Sequence, residues 1–204
     1  MKQLLLTLLA ALSLAAPASA QRLRIGVRGG INTTDYRFAP LRVGDTYFTA
    51  GPSRRGFEAG FVFRINCTQV FHLQTELDYD FVNHLVRATH DQVQRTVRMR
   101  SERLELPLQL GFQFGPVRLF GGASFRLNSV ERSSHPDLLQ IDYGSDRIAW
   151  LGGLGLNIRH FFVDFRVQGY PGPKHRSTFI SEGAEARVRL RSDLIMSGSL
   201  GFFF

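Results

Sequence analysis

Cysteine and lysine are both scarce in this sequence. Cys67 is the single cysteine, which excludes an intramolecular disulfide and a zinc site built from several cysteines. Lys2 and Lys174 are the only lysines, so arginine supplies nearly all of the basic side chains. Arginine binds carboxylates and phosphates through two parallel hydrogen bonds, whereas lysine mostly solvates a surface. The composition therefore favours ion pairing over a solvated basic surface.

A long apolar run is also missing after residue 20, which excludes a membrane-spanning helix in that part of the chain. Residues 1–20 contain a basic start, the apolar stretch LLLTLLAALSLAA and the small-residue site ASA, a combination typical of a secretory signal peptide. That stretch is shorter than the roughly 20 residues needed to span a bilayer. We expect cleavage before Gln21, export of one domain over residues 21–204, and no nucleic-acid partner despite the net charge of +8.

Apolar and polar residues alternate along most of the exported chain. The stretch LELPLQLGFQF at 104–114 has leucine or phenylalanine at every even position, with Glu105, Gln109 and Gln113 between them. A period of two predicts a β-strand with one apolar face and one polar face. Eight segments have this pattern: 23–31, 57–65, 71–81, 104–114, 117–127, 148–158, 161–169 and 188–204.

The charged residues of these segments all lie on the polar faces. Eight arginines share those faces with seven carboxylates, a balance that predicts a paired internal network because a buried, unpaired charge is costly. Asp80, Arg189 and Arg191 belong to this set of charged positions. The predicted lumen charge network consists of Arg24, Arg28, Glu58, Arg64, Glu76, Asp78, Glu105, Arg118, Arg126, Asp164, Arg166 and Asp193.

The connections between the segments alternate in length. Those after the second, fourth and sixth segments are the short NCTQV, GP and RH, whereas the other four are polar and have 18 to 25 residues. Short turns at one end and long loops at the other are typical of outer-membrane barrels, which close without free sheet edges. The sequence predicts an all-β fold, an eight-stranded antiparallel up-and-down transmembrane β-barrel with its apolar faces against lipid. A soluble periplasmic barrel that binds an apolar ligand is the alternative.

The C-terminus supports the membrane interpretation. The chain ends in SGSLGFFF, with Phe204 on the apolar face of the last segment. A terminal aromatic residue on a period-two strand resembles the signal that the barrel insertion machinery recognises. We therefore predict location in the outer membrane, with Phe204 as the insertion signal.

Four stretches share features beyond simple alternation. They are IGVRGGIN at 25–32, RLELPLQLGF at 103–112, LFGGASFRLN at 119–128 and GGLGLNI at 152–158. Together they resemble the PorT-like β-barrel family, small outer-membrane barrels of the Bacteroidota, and the second resembles that family's Leu-Glu-(Ile/Leu)-Pro-Leu strand. The resemblance implies the outer membrane, a single barrel and no cofactor. Some relatives take part in protein secretion, and nothing in these stretches singles out that role.

An enzymatic barrel would need a nucleophile, a base and a carboxylate within reach of one another. His72 shares a polar face with Glu76, but the two lie about 13 Å apart along the strand, and that face has no serine. We expect His72 to join a hydrogen-bond network in the lumen. We expect no catalytic residue, metal or cofactor.

These patterns predict a monomeric, non-enzymatic protein with a structural or interaction role. Eight strands leave an interior that side chains can fill, so the lumen is expected to be closed. A small-solute pore or a secretion-associated barrel is the alternative. The stretch at 83–102 is either a solvated hairpin or a contact for lipopolysaccharide phosphates or an unknown envelope protein. Its predicted contact residues are Arg87, Arg95, Arg98 and Arg100.

Overall fold

The computed structural model describes residues 23–34, 40–51, 55–90, 93–134, 139–142, 147–170, 176–181, 184–189 and 194–204. The predicted signal peptide lies outside these residues. Among the residues described, no helix is long and apolar enough to cross a membrane. The described chain forms thirteen strands: β1 (Leu23–Thr34), β2 (Leu41–Val43), β3 (Thr46–Ala50), β4 (Arg55–Asn66), β5 (Phe71–His90), β6 (Val93–Phe114), β7 (Val117–Ser133), β8 (Leu139–Asp142), β9 (Ile148–Ile158), β10 (Phe161–Gly169), β11 (Arg176–Ser181), β12 (Ala184–Arg189) and β13 (Leu194–Phe203).

Eight of the strands close into a ring. Their order is β5-β4-β1-β13-β10-β9-β7-β6, and β6 pairs back onto β5. Every neighbouring pair in the ring is antiparallel. The ring confirms the predicted all-β, eight-stranded fold. It also places β5 and β10 on opposite sides of the lumen, because four steps separate them in either direction.

The predicted eighth segment, 188–204, is wrong at its start. The ring strand β13 begins at Leu194, and β12 belongs instead to a separate three-stranded sheet with β11 and β8. Arg189 is the last residue of β12 and pairs with Arg176, so it lies outside the barrel wall. Arg191 and Asp193 lie outside the described residues.

The two ends of the ring differ as expected. The short connections after β4, β6 and β9 lie at one end, together with the start of β1 and the end of β13. Gly115, in the turn after β6, has a φ of 60°, which glycine adopts without a steric penalty. At the other end β5 and β6 continue as one long hairpin to the pair His90–Val93, and β2 and β3 extend the sheet from β5. The stretch at 83–102 is therefore a paired hairpin extension.

The ring is apolar outside and polar inside. Large side chains such as Phe61, Leu154 and Phe165 are about half exposed on the outer surface. Arg64, Glu76 and Arg118, by contrast, are fully buried. A protein surrounded by water places these residue types the other way round.

Proline donates no hydrogen bond to a sheet, so the sequence predicts either a bulge or a water-satisfied partner carbonyl at Pro107. The pairing of β6 with β7 shifts register between Leu104 and Glu105, close to Pro107 but not at it. On the side of β6 that faces β5, the pairing passes directly from Thr75–Leu108 to Asp78–Glu105, so that Leu106 and Pro107 are left out of the register. Thr75 donates a hydrogen bond of 3.1 Å to the Pro107 carbonyl. The interruption is local, and the strand continues on both sides.

The closed ring is expected to resist sodium dodecyl sulfate until it is heated. Every strand of the ring is paired with a neighbour on both sides, so the sheet has no free edge at which unfolding could begin. Unboiled protein should migrate faster in gel electrophoresis than boiled protein. Equal mobility of the two samples, for protein inserted into lipid, would contradict the closed barrel.

Candidate functional site

The centre of the lumen is organised around Arg28 of β1. Its guanidinium contacts three carboxylates: Glu58, Glu76 at 2.5 Å and Asp78 at 3.0 Å. It also donates to the hydroxyl of Ser199 at 2.8 Å. The side chain of Arg28 is fully buried, so these contacts replace the water that the charge loses.

Arg166 of β10 binds two of the same carboxylates from the opposite wall. Its Nη2 lies 2.5 Å from Glu76 Oε2 and its Nη1 lies 3.1 Å from Asp78 Oδ2. Glu76 and Asp78 belong to β5, which is diametrically opposite β10 in the ring. These two ion pairs therefore cross the full width of the lumen.

A second layer lies closer to the end with short turns. Gln74 Oε1 accepts hydrogen bonds from Arg64 Nε at 2.6 Å and from Arg118 Nη1 at 2.8 Å. Arg118 also pairs with Asp164 of β10. Arg64 reaches across to Asn157 Oδ1 at 3.2 Å, and Asn157 is on β9, opposite β4 in the ring.

Glycine makes room for this layer. A Cβ atom added to Gly155 would lie 2.9 Å from Arg118 Nη2, closer than side-chain carbons normally approach. Gly155 pairs with both Arg118 and Asp164 in the sheet, so it lies directly beside the ion pair. Gly155 of the stretch GGLGLNI therefore leaves space for the buried guanidinium of Arg118.

A third layer, towards the end with long loops, is built on Glu105 of β6. Its carboxylate accepts hydrogen bonds from Tyr170 at 2.5 Å, Gln168 at 2.6 Å and Ser124 at 2.8 Å. Arg103 Nε lies 3.8 Å from Glu105 Oε1. The donors come from β6, β7, β10 and the residue that follows β10, so this layer also joins separate parts of the wall.

The three layers contain nearly equal numbers of opposite charges. Among the described residues, the buried charged side chains are five arginines and six carboxylates. They bond mostly to one another and to buried amides, so the lumen is occupied by an ion-paired network. Its members are Arg28, Arg64, Arg103, Arg118, Arg166, Glu58, Glu76, Asp78, Glu105 and Asp164. Asp80 is buried near them, but its Oδ1 has no hydrogen-bond partner among the described residues.

Two of the predicted network residues lie at its margins. Arg24 is half-buried, donates to the Arg159 carbonyl at 2.8 Å and lies 4.7 Å from the Phe203 ring centre. Arg126 is also half-buried and lies 4.5 Å from the Tyr170 ring centre. Nine predicted residues come together in the buried layers: Arg28, Glu58, Arg64, Glu76, Asp78, Glu105, Arg118, Asp164 and Arg166.

Sequence reasoning missed the neutral members of the network. Gln74, Gln109 and Gln168 are buried and each bonds to a charged partner. All three lie on the polar face of a predicted segment, so the alternation already placed them in the lumen. They were missed because only charged residues were considered for the network. Arg103 was missed because the predicted segment began one residue later, and Tyr170 because it follows the last residue of its segment.

His72 does not form the expected hydrogen bond through its Nε2. It is buried, and among the described residues its Nε2 has no hydrogen-bond partner. The ring lies over Gly111, where an added Cβ would be 2.3 Å from Nε2. It borders an open cavity of about 550 Å³ at the end with short turns, which Arg24, Cys67 and Gln113 also line. Within the described residues, no group of three or more His, Cys, Asp or Glu side chains is placed to hold a metal.

The four arginines predicted for outer contacts separate onto two faces of the hairpin. Arg98 and Arg100 have the same parity in β6 as the outward-facing Leu108 and Leu110, and Arg87 of β5 pairs with the outward position Thr96. Arg95 has the opposite parity and pairs with the buried Ala88. The structure therefore brings three of the four to the outer face.

Phe204 lies at the end with short turns. Its backbone N–H donates to the Ile25 carbonyl at 2.9 Å, which ties the C-terminus to β1. The side chain is 76% exposed and contacts the ring of Phe202, with the ring centres 5.9 Å apart.

Known proteins resemble the chain in sequence and in fold. A family profile described as an outer membrane protein beta-barrel domain matches residues 15–168, and no curated protein matches. OprG from Pseudomonas aeruginosa is 13% identical, with a TM-score of 0.54 over 89% of this chain and 95% of that chain. The translocator domain of the autotransporter NalP from Neisseria meningitidis is 11% identical, with a TM-score of 0.40 over 100% and 96%. Ail of Yersinia pestis is 12% identical, with a TM-score of 0.39 over 90% and 98%.

Proposed function

Since the chain belongs to the outer membrane protein beta-barrel domain family, we propose that it is a closed barrel with a structural or interaction role and no catalytic activity. Its location in the outer membrane is as predicted from the sequence. The soluble periplasmic barrel is therefore set aside. The apolar outer surface faces lipid tails, and the open question is what the polar interior does.

The pairing of Arg166 with Glu76 and Asp78 across the lumen is the observation that carries the proposal. These contacts join opposite walls at 2.5 and 3.1 Å and leave no room between them for a hydrated ion. Arg28 closes the same layer from a third strand. A solute crossing the barrel would have to break buried ion pairs in the first two layers and buried hydrogen bonds to Glu105 in the third, which is costly.

The proposal predicts no steady conductance from purified protein in planar lipid bilayers. The wild type should show a flat baseline, because its lumen is filled. A variant carrying Arg28→Ala, Glu76→Ala and Arg166→Ala removes the central layer and should show small conductance steps, provided that its heat-dependent gel shift demonstrates a folded barrel. Reproducible steps from the wild type would overturn the closed lumen and favour the small-solute pore.

The non-enzymatic part of the proposal is supported by how two buried serine hydroxyls of the lumen are used. The buried Thr46 hydroxyl lies 3.2 Å from His90 Nδ1, but this pair belongs to the extension of the sheet by β3 and not to the lumen. Ser124 donates to Glu105, and Ser199 accepts from Arg28. Neither bonds to a histidine, so neither has the base that activates a serine nucleophile. Both hydroxyls serve the charge network.

Several partners belong to the same proposal. Phe204 is proposed as the signal read by the barrel insertion machinery. The protein is proposed to act as a monomer, in contact with outer-membrane lipid and with an unidentified envelope protein. The finer kinship with PorT-like barrels of the Bacteroidota is supported by RLELPLQLGF and the glycine-rich strands. A role in secretion is an alternative that this kinship keeps open.

A further inference from the structure

The inside-out pattern of the wall reverses along β5 and β6. Up to the paired residues Phe81 and Glu102, apolar side chains face outward and polar ones inward. Beyond this pair, Val86 and Val97 are fully buried on the inner side, while Arg98 is exposed on the outer side. The arrangement beyond the pair is that of a protein in water. The reversal therefore marks the height at which lipid tails end on this side of the barrel.

Arginines occupy the outer face directly beyond the reversal. Arg87, Arg98, Arg100 and Arg132 form this outer-face arginine cluster. Arg132 of β7 joins it because the register shift opposite Leu104 changes the parity of β7, so that Arg132 pairs with Arg100. Among the described outward-facing residues of β5, β6 and β7 beyond Phe81, these four arginines accompany a single carboxylate, that of Glu102. The cluster therefore has excess positive charge.

Contacts within the cluster hold part of it in place. Glu102 Oε1 lies 3.2 Å from Arg100 Nε and 3.8 Å from Arg132 Nε. Tyr79 donates its hydroxyl hydrogen to Glu102 Oε2 at 2.8 Å, and Arg100 lies 4.6 Å from the Phe81 ring centre. The side chains of Arg100 and Arg132 are still 49% and 69% exposed. Two guanidiniums are thus positioned side by side and remain accessible.

Part of the cluster lies at the height of the headgroup layer. Arg100 is two residues beyond Glu102, which is about 5 Å along the membrane normal for a strand tilted by about 45°. Headgroups occupy roughly the outer 5–8 Å of each leaflet beyond the hydrocarbon core. Arg98, two residues further, lies about 9 Å beyond the same point. Arg100 and its paired neighbour Arg132 therefore lie at the level of the lipid phosphates, and Arg98 lies just above that level.

We propose that the outer-face arginine cluster binds phosphate groups of outer-leaflet lipopolysaccharide. Guanidinium and phosphate form paired, charge-assisted hydrogen bonds, and the acyl chains of the same lipid pack against the apolar wall below. The site rests on the outer-membrane location and does not depend on the state of the lumen. If the barrel conducted ions, the proposed phosphate-binding site would not be affected.

Binding of purified lipid A to the detergent-solubilised barrel tests the site. Native mass spectrometry should show that R98Q/R100Q/R132Q binds diphosphoryl lipid A about tenfold more weakly than the wild type, as loss of several partly exposed charge contacts implies. R95Q, on the other face of the same hairpin, should bind as the wild type does. The difference between wild type and triple variant should shrink as salt rises, because salt screens exposed charges.

Dephosphorylated lipid A separates phosphate recognition from apolar packing. It should bind wild type and triple variant equally and more weakly than the diphosphoryl form binds the wild type. The proposal is overturned if the triple variant retains wild-type affinity for diphosphoryl lipid A, or if R95Q loses as much affinity as the triple variant. The heat-dependent gel shift of each variant establishes that it is folded before binding is compared.

Discussion

Replacing Arg28 by alanine is expected to lower the free energy of unfolding by about 3–5 kcal/mol. Arg28 is fully buried and contacts Glu58, Glu76 and Asp78. Its removal leaves three buried carboxylates with Arg166 as the remaining guanidinium at the centre, and Arg166 contacts only two of them. The loss should be measured as a lower midpoint of urea unfolding in detergent micelles.

Arg42→Ala is the matched control for this experiment. Arg42 pairs with Asp45 at 3.0 Å, but their side chains are 70% and 66% exposed. An exposed pair contributes at most about 1 kcal/mol, so the control should unfold nearly as the wild type does. Adding Glu58→Gln to Arg28→Ala removes one stranded carboxylate and should restore part of the loss. If Arg28→Ala and Arg42→Ala have the same small effect, the central layer does not hold the barrel together.

Leu108→Arg is expected to destabilise the membrane-inserted barrel by about 2–4 kcal/mol. Leu108 faces outward, is 41% exposed and lies midway along the apolar part of β6. A guanidinium at that depth is far from both headgroup layers. The midpoint of unfolding in lipid vesicles should fall accordingly.

Val117→Arg places the same charge on the same apolar surface at a different depth. Val117 is the first residue of β7, directly after the short turn, and is 46% exposed. An arginine near the membrane edge reaches the headgroups, so the cost should be about 0–1 kcal/mol. Equal costs at Leu108 and Val117 would mean that the apolar surface does not cross the hydrocarbon layer as described.

The charge network and the apolar surface lie on opposite faces of one sheet, and their positions are the reverse of those in a water-soluble barrel. In a water-soluble barrel, apolar side chains fill the interior and polar ones meet the solvent. Here lipid covers the apolar side chains, so the interior contains polar and charged side chains that must form hydrogen bonds and ion pairs with one another. This is why removing one member, such as Arg28, is expected to cost more than breaking an exposed pair.

Alternation along the chain was enough to predict the wall. In LELPLQLGFQF every second residue lies on the same face of the strand. Hydropathy alone therefore assigns the neighbouring residues Leu108 and Gln109 to opposite faces. The structure places Leu108 outward and Gln109 in the lumen. This rule is local, because a strand turns every second side chain to the same side whatever its neighbours are.

Local alternation failed where the surroundings of a strand change. The arginine-rich stretch at 83–102 breaks the pattern of the apolar segments, yet it continues β5 and β6 with the same side-chain directions. Its polar side faces outward because water replaces lipid there. The predicted segments 71–81 and 104–114 therefore stop where lipid gives way to water, and Arg103 was left one residue outside the second of them.

The sequence by itself determined the number of strands in the ring, their alternating directions and the face on which most of the charges described in the ring lie. These follow from short-range patterns: a period of two and connections of alternating length. Only the tertiary structure decided which charges meet, because Arg166 reaches Glu76 through closure of the ring and not through proximity in the chain. It also decided that Arg132 lies beside Arg100 and that Arg95 faces away. The first depends on a register shift between β6 and β7 and the second on the pairing of the hairpin, and neither register is set within one segment.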